Sequence, residues 1–167
     1  MTTRQVLLWS CAYLIEFVAV IWFTRATSRR ILGALGGGVA VGCFSLVAIF
    51  GFEALGVWRI PMAPTLTFRV LFFLGLVVSA APVYLVTWRI ARRFGGRGLT
   101  IFIAVVVVIG PPRDYLIAAT FPNWMVFSPG IAPVLADAVT YLGFVALGHA
   151  VMRWISGPAA ADVLARR

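Results

Sequence analysis

Five long apolar stretches dominate this chain, and clusters of arginine occupy every second gap between them. Each stretch approaches the roughly 20 residues that an α-helix needs to cross about 30 Å of hydrocarbon. The stretches cover residues 6–24, 31–52, 67–88, 99–120 and 131–154, and a short tail follows at 155–167. The pattern predicts an all-α fold, a polytopic integral membrane bundle of five transmembrane helices that forms one domain over residues 1–167.

Composition excludes an ordinary soluble domain. Of 167 residues, 62% are hydrophobic and 11% are charged, whereas soluble domains carry about 25% charged residues. The net charge of +9 does not indicate nucleic-acid binding, because the arginines are divided among separate gaps and no aromatic residues alternate with them. Cys11 and Cys43 lack the spacing of a zinc or redox site, so we predict no metal site. No cofactor motif is present.

The arginines also predict an orientation in the plasma (inner) membrane. Those in the gaps after helices one and three, and at the C-terminal end, greatly outnumber those on the opposite side. Positively charged loops stay in the cytoplasm. We therefore expect the N-terminus outside and the C-terminus in the cytoplasm, as an odd number of crossings requires.

Carboxylates are scarce, and four of the five lie within the apolar stretches or at their outer ends: Glu16, Glu53, Asp114 and Asp137, with Asp162 in the tail. An ionisable group inside a membrane is costly and usually faces the protein interior. Glu16 lies near the predicted midplane and shares a helical face with Trp9 and Tyr13. We expect this face to point into the bundle, where Glu16 either has a functional role or is protonated and bonds a neighbouring helix.

The segment Gly110-Pro111-Pro112 predicts a break in helix four. Two adjacent prolines lack N–H groups and leave helix carbonyls without donors. Irregular backbone at membrane depth is tolerated where it lines a cavity or lies within protein. The alternative is a plain proline kink, with Arg113 extending towards the headgroups.

Arg113 and Asp137 fall at similar predicted depths on neighbouring helices. An Arg113–Asp137 pair or an Arg113–Asp114 pair would each lower the cost of burying charge. Asp137 and Tyr141 share one face of helix five. The full set of candidate ligand-binding residues is Arg113, Asp114, Asp137, Glu16, Tyr13, Tyr115, Tyr141, Trp124 and Arg69.

Helix two is rich in glycine. Gly33 and Gly37 form one row of small residues, and Gly38 and Gly42 form the next. Small residues four positions apart allow helices to approach closely. The partner is either another helix of the same chain, or a second copy or larger membrane complex.

Three functions are compatible with these features. The first is an accessory protein that binds a lipid, a pigment or a membrane partner in an outward-facing polar pocket. The second is an intramembrane enzyme in which Asp114 and Asp137 act as acid and base on a lipid or isoprenoid substrate. The third is a small oligomeric transporter that uses Glu16. Small size, an aromatic rim and the lack of catalytic spacing favour the first.

Overall fold

The computed structural model describes residues 2–61 and 65–158, and it is helical apart from short connections and two two-residue strands. The elements, in chain order, are α1 (Thr3–Thr24), α2 (Ser28–Ala54), β1 (Trp58–Arg59), α3 (Leu66–Thr120), β2 (Val126–Phe127) and α4 (Ala132–Ser156). Four helices are long and apolar enough to cross a membrane. The all-helical membrane fold is therefore supported. Most of the predicted tail, residues 159–167, lies outside the described residues.

The predicted count of five separate helices is not confirmed, because the third and fourth are joined in α3, a single element of 55 residues. Within α3, Gly95 has non-helical backbone angles, φ 63° and ψ −158°. Glycine reaches this region without a Cβ penalty. One residue therefore replaces the loop that the arginine-rich gap predicted.

Contacts with α4 show that α3 folds back at Gly95. Tyr84 donates a hydrogen bond to the carbonyl of Phe144 over 3.0 Å, while Gly110 lies against the ring of Tyr141. In a straight helix Tyr84 and Gly110 would be about 39 Å apart. Here both contact neighbouring turns of α4. We call residues 66–94 the N-terminal arm of α3 and residues 96–120 its C-terminal arm.

The predicted break at Gly110-Pro111-Pro112 is not confirmed. α3 continues through these residues, and its non-helical backbone lies at Gly95 instead. The fixed φ of proline, near −65°, is compatible with a helix even though the ring removes the N–H donor. The prolines therefore leave the carbonyls of Val107 and Val108 without their usual helical donors but do not end the helix.

The glycine rows of α2 pack inside the chain. A Cβ at Gly37 would lie 2.6 Å from the carbonyl oxygen of Gly148 in α4. A Cβ at Gly38 would lie 2.6 Å from the carbonyl oxygen of Val77 in the N-terminal arm of α3. One row therefore faces α4 and the other faces α3, with the fully buried Tyr84 between them. Both rows are occupied by contacts within the chain.

The bundle has two chemically different ends. Arg29 donates to the carbonyl of Ile155 over 3.2 Å, and Arg89 donates to the carbonyl of Phe23 over 2.9 Å, which brings four helical segments together at one end. This arginine-rich end comprises Arg25, Arg29, Arg30, Arg89, Arg92, Arg93, Arg97 and Arg153. At the opposite end, called the acidic end, lie Glu53, Asp114 and Asp137, and β1 pairs antiparallel with β2.

Candidate functional site

Arg113 and Asp114 form the centre of a polar network at the acidic end. The Nε and Nη2 atoms of Arg113 each lie 3.0 Å from Oδ1 of Asp114. Tyr141 of α4 donates its hydroxyl to Oδ2 of the same carboxylate over 2.9 Å. Both oxygens of Asp114 therefore have partners, and the network joins the C-terminal arm of α3 to α4. Of the two pairs left open by the sequence, the structure contains Arg113–Asp114.

A glycine in α3 makes room for this connection. The ring of Tyr141 lies so close to Gly110 that a Cβ there would overlap it. The guanidinium carbon of Arg113 is 5.7 Å from the centroid of the same ring, a cation–π contact. Gly110 therefore contributes to the site by allowing close approach, whereas the sequence had suggested a role in breaking the helix.

Asp137 lies one helical turn from Tyr141 on the same face of α4 and is 3% exposed. Its Oδ2 atom is buried and has no hydrogen-bond partner among the described residues. The carboxylate is close enough to Asp114 and Arg113 to interact with both electrostatically. A buried polar atom without a partner costs about 1–3 kcal/mol, so this oxygen is the atom of the cluster best placed to accept a bond from a ligand.

The predicted aromatic residues surround this network. Tyr115 stacks on Phe127 with ring centroids 4.1 Å apart, and Trp124 meets Trp9 of α1 edge to face at 5.6 Å. Tyr13, half-buried in α1, packs against Trp9 with ring centroids 6.1 Å apart. The segment between α3 and α4 therefore folds back over the acidic end and contacts α1 and α3.

Two predicted site residues lie apart from this cluster. Glu16 is exposed on the surface of α1, and no contact between it and the cluster is seen in the described part of the chain. Arg69 is likewise exposed, near the start of α3. The expectation that the polar face of α1 directs Glu16 into the bundle is therefore wrong for this chain on its own. A helical pattern shows which residues share a face but not which face meets a neighbour.

Glu53 and Arg59 line a separate cavity of about 410 Å³ beside the short sheet. Trp58 is buried there, and its indole N–H donates to the carbonyl of Ile49 over 3.4 Å. Sequence reasoning missed this tryptophan. The alternation Trp58-Arg59-Ile60 is the local signal that pointed to a strand.

His149 is a packing residue, as we expect of a lone histidine in an apolar helix. The residue is buried, and its Nδ1 lies 2.9 Å from the hydroxyl of Thr87 in α3. In the described residues, no group of three or more histidine, cysteine, aspartate or glutamate side chains is arranged to hold a metal ion. His149 is therefore part of the contact between α3 and α4.

Comparisons with protein-family models, with curated proteins and with solved structures found no match. The fold and its four helices, long and apolar enough to cross a membrane, support a membrane protein. At the acidic end, one carboxylate is fully engaged, and a second is buried with an oxygen free to accept a hydrogen bond.

Proposed function

We propose that the protein crosses the plasma (inner) membrane five times, with its N-terminus outside and its C-terminus in the cytoplasm. Each arm of α3 is long enough to cross about 30 Å of hydrocarbon, and the fold-back at Gly95 supports counting them as two crossings. With the N-terminus outside, the arginine-rich end lies on the cytoplasmic side, in agreement with the tendency of arginine to remain there.

Cysteine labelling tests this topology. Single cysteines at Gly96 and Ile131, in a chain whose native Cys11 and Cys43 are replaced by serine, should react from opposite sides of intact cells. Ile131, which is exposed, should react with a reagent that does not cross the membrane, and Gly96 should react only after permeabilisation. Labelling of both from the same side would contradict the five crossings, and the reverse pattern would contradict the orientation alone.

We infer that the protein is an accessory membrane protein that binds a polar group of a lipid, a pigment or a partner subunit at the acidic end. The observation that carries this proposal is the buried Oδ2 of Asp137, which has no partner in the described chain. An ionisable group that is buried inside a membrane protein usually marks a functional site. The bound group would be a hydrogen-bond donor, such as an ammonium or a hydroxyl, because a carboxylate only accepts.

The enzyme alternative, with Asp114 and Asp137 acting on a lipid or isoprenoid substrate, has weaker support. Asp114 is already held by Arg113 and Tyr141, which leaves it poorly placed to exchange protons with a substrate. The transporter alternative would need Glu16 to meet a second copy, because that residue lies on the surface of α1.

Phosphatidylethanolamine and phosphatidylcholine provide a matched pair of probes for the binding function. Both headgroups carry the same charges, but only the ethanolamine ammonium donates hydrogen bonds. Native mass spectrometry of the purified full chain should show a preference for phosphatidylethanolamine of about tenfold, equivalent to one charge-assisted bond. The preference should disappear in Asp137→Asn.

Glu53→Gln is the control, since it makes the same carboxylate-to-amide change at the same end but outside the cluster. It should leave the preference unchanged. Equal loss in both variants, or no preference in the unmodified protein, would argue against a lipid ammonium as the group bound at Asp137. If a partner subunit or pigment co-purifies with the unmodified protein but not with Asp137→Asn, the ligand is that molecule and the site is still Asp137.

A further inference from the structure

A cavity of about 560 Å³ lies beside the Gly95 turn, at the arginine-rich end and far from Asp137. Ile90 and Phe94 line it from the N-terminal arm of α3, and the C-terminal arm contributes Arg97, Ile101 and Val105. The volume falls within the range of small-molecule sites, about 300–1,000 Å³. The cavity exists because the two arms leave a gap beside the turn that reverses the chain.

The cavity is an elongated apolar groove on the side of the bundle. Three of the residues contributed by the C-terminal arm, Arg97, Ile101 and Val105, recur at intervals of four, and Gly98 and Phe102 lie beside them, so all five share one helical face. They extend over about 12 Å of helix, from Arg97 to Val105. Ile101 is 66% exposed, which shows that the groove opens sideways. In a membrane that opening faces hydrocarbon, so a flexible apolar chain can enter it directly.

Arg97 is the one charged side chain among the residues that line this groove. It lies two residues beyond Gly95, at the end of the groove nearest the headgroups. In the part of the chain that the structure describes, Arg97 forms no hydrogen bond or ion pair, whereas neighbouring Arg93 lies over the ring of Phe94 at 5.3 Å. The groove therefore combines an apolar channel with a cationic mouth.

Among the described residues, the charged side chains at this end are all positive. The arginine-rich end holds eight arginines, and none of the carboxylates within residues 2–61 and 65–158 lies at that end. Such a surface attracts anionic lipids, at about 1 kcal/mol for each basic residue near the membrane surface. A ligand with an anionic head and an apolar tail satisfies both parts of the groove.

We propose that this groove binds one anionic phospholipid, with its phosphate at Arg97 and an acyl chain lying along Ile101 and Val105. The proposal goes beyond the function assigned to the acidic end, and it depends on different residues and on a different lipid charge. The two sites can therefore fail independently.

Dioleoyl phosphatidylglycerol and dioleoyl phosphatidylcholine test the proposal, because their acyl chains are identical and only the first has a net charge. In native mass spectrometry of the full chain in a neutral detergent, we expect phosphatidylglycerol to bind at least about tenfold more tightly, as for one charge-assisted contact. Inorganic phosphate at equal concentration should not displace it, because a free ion leaves the apolar groove unfilled.

Arg97→Gln should reduce the preference to about twofold or less. Arg153→Gln, which removes an exposed charge at the same end but outside the groove, should lower it less than Arg97→Gln does. Ile101→Trp fills the groove and should abolish binding of both lipids, whereas Val47→Trp, on the exposed surface of α2, should not. Circular dichroism of each variant identifies any that fail to fold.

Lipid binding by the unmodified protein tests the proposal even if a variant misfolds. Equal binding of the two lipids, or displacement of phosphatidylglycerol by inorganic phosphate, overturns it. It is also overturned if Arg153→Gln weakens binding as much as Arg97→Gln, since the attraction would then be spread over the whole end. Retention of lipid by a folded Ile101→Trp variant would show that the groove is not where the acyl chain lies.

Discussion

At the arginine-rich end, Arg29 and Arg89 are each held by a single backbone carbonyl, whereas at the acidic end Arg113 belongs to a side-chain network that joins two helical segments. The residue type is the same, but the consequences differ. A guanidinium that bonds a helix-terminal carbonyl keeps its outer face available to headgroups. A guanidinium paired with a carboxylate that also accepts from a tyrosine fixes the position of its neighbours. The comparison teaches that arginine bonds single backbone carbonyls at one end and takes part in a side-chain network at the other.

The largest effect is expected for Asp114→Ala. This change removes the carboxylate shared by Arg113 and Tyr141, so the pairing is lost and a half-buried hydroxyl is left without its acceptor. Bonds to charged groups contribute about 1.5–3 kcal/mol, and we expect the free energy of unfolding in detergent to fall by about 2–3 kcal/mol. If the free energy of unfolding falls no more than it does in Arg89→Gln, the two ends do not differ in the way described here.

Asp137→Leu should act in the opposite direction. Replacing a buried carboxylate whose Oδ2 has no partner with an apolar side chain of similar size removes a desolvation cost of about 1–3 kcal/mol. We therefore expect the variant to unfold at higher temperature while losing the preference for phosphatidylethanolamine. Stabilising changes at functional sites often reduce function in this way. Destabilisation by Asp137→Leu would indicate that the carboxylate is already satisfied.

Tyr141→Phe should have a smaller effect. The ring stays against Gly110, and only the hydroxyl bond to Asp114 is lost. We expect the free energy of unfolding to decrease by about 1 kcal/mol. Measuring Asp114→Ala in the Tyr141→Phe background completes a double-mutant cycle. Strict additivity of the two changes would mean that the tyrosine and the carboxylate are not coupled.

Arg89→Gln should have the smallest effect. Its guanidinium donates to the carbonyl of Phe23 and lies over that ring at 4.8 Å, but a glutamine amide or solvent replaces such a donor readily. Exposed polar contacts contribute about 0.5 kcal/mol or less. Chemical denaturation in detergent should therefore give a midpoint close to that of the unmodified chain. A loss above about 2 kcal/mol would place this arginine in a network like that of Arg113.

Much of the site was predictable from the sequence, and the reasons are physical. Four residues stood out because each is costly or unusual in an apolar helix: Asp114, Arg113, Asp137 and Tyr141. The structure brings Asp114, Arg113 and Tyr141 into direct contact. Glu16 stood out for the same reason yet lies on the surface of α1. The cost of a charge indicates that it needs surroundings other than hydrocarbon, but it does not say which helix will supply them.

Within the chain, the positions of the apolar stretches and the uneven placement of arginine depend on local composition, so the sequence alone determined that helices form and which ends carry positive charge. Only tertiary packing decided three other features: the reversal at Gly95, the uninterrupted helix through Pro111 and Pro112, and the packing of Tyr141 against Gly110. Backbone angles at a single glycine, and contacts between residues 31 positions apart, depend on how whole helices fit together. Hydropathy and spacing carry no information about that fit.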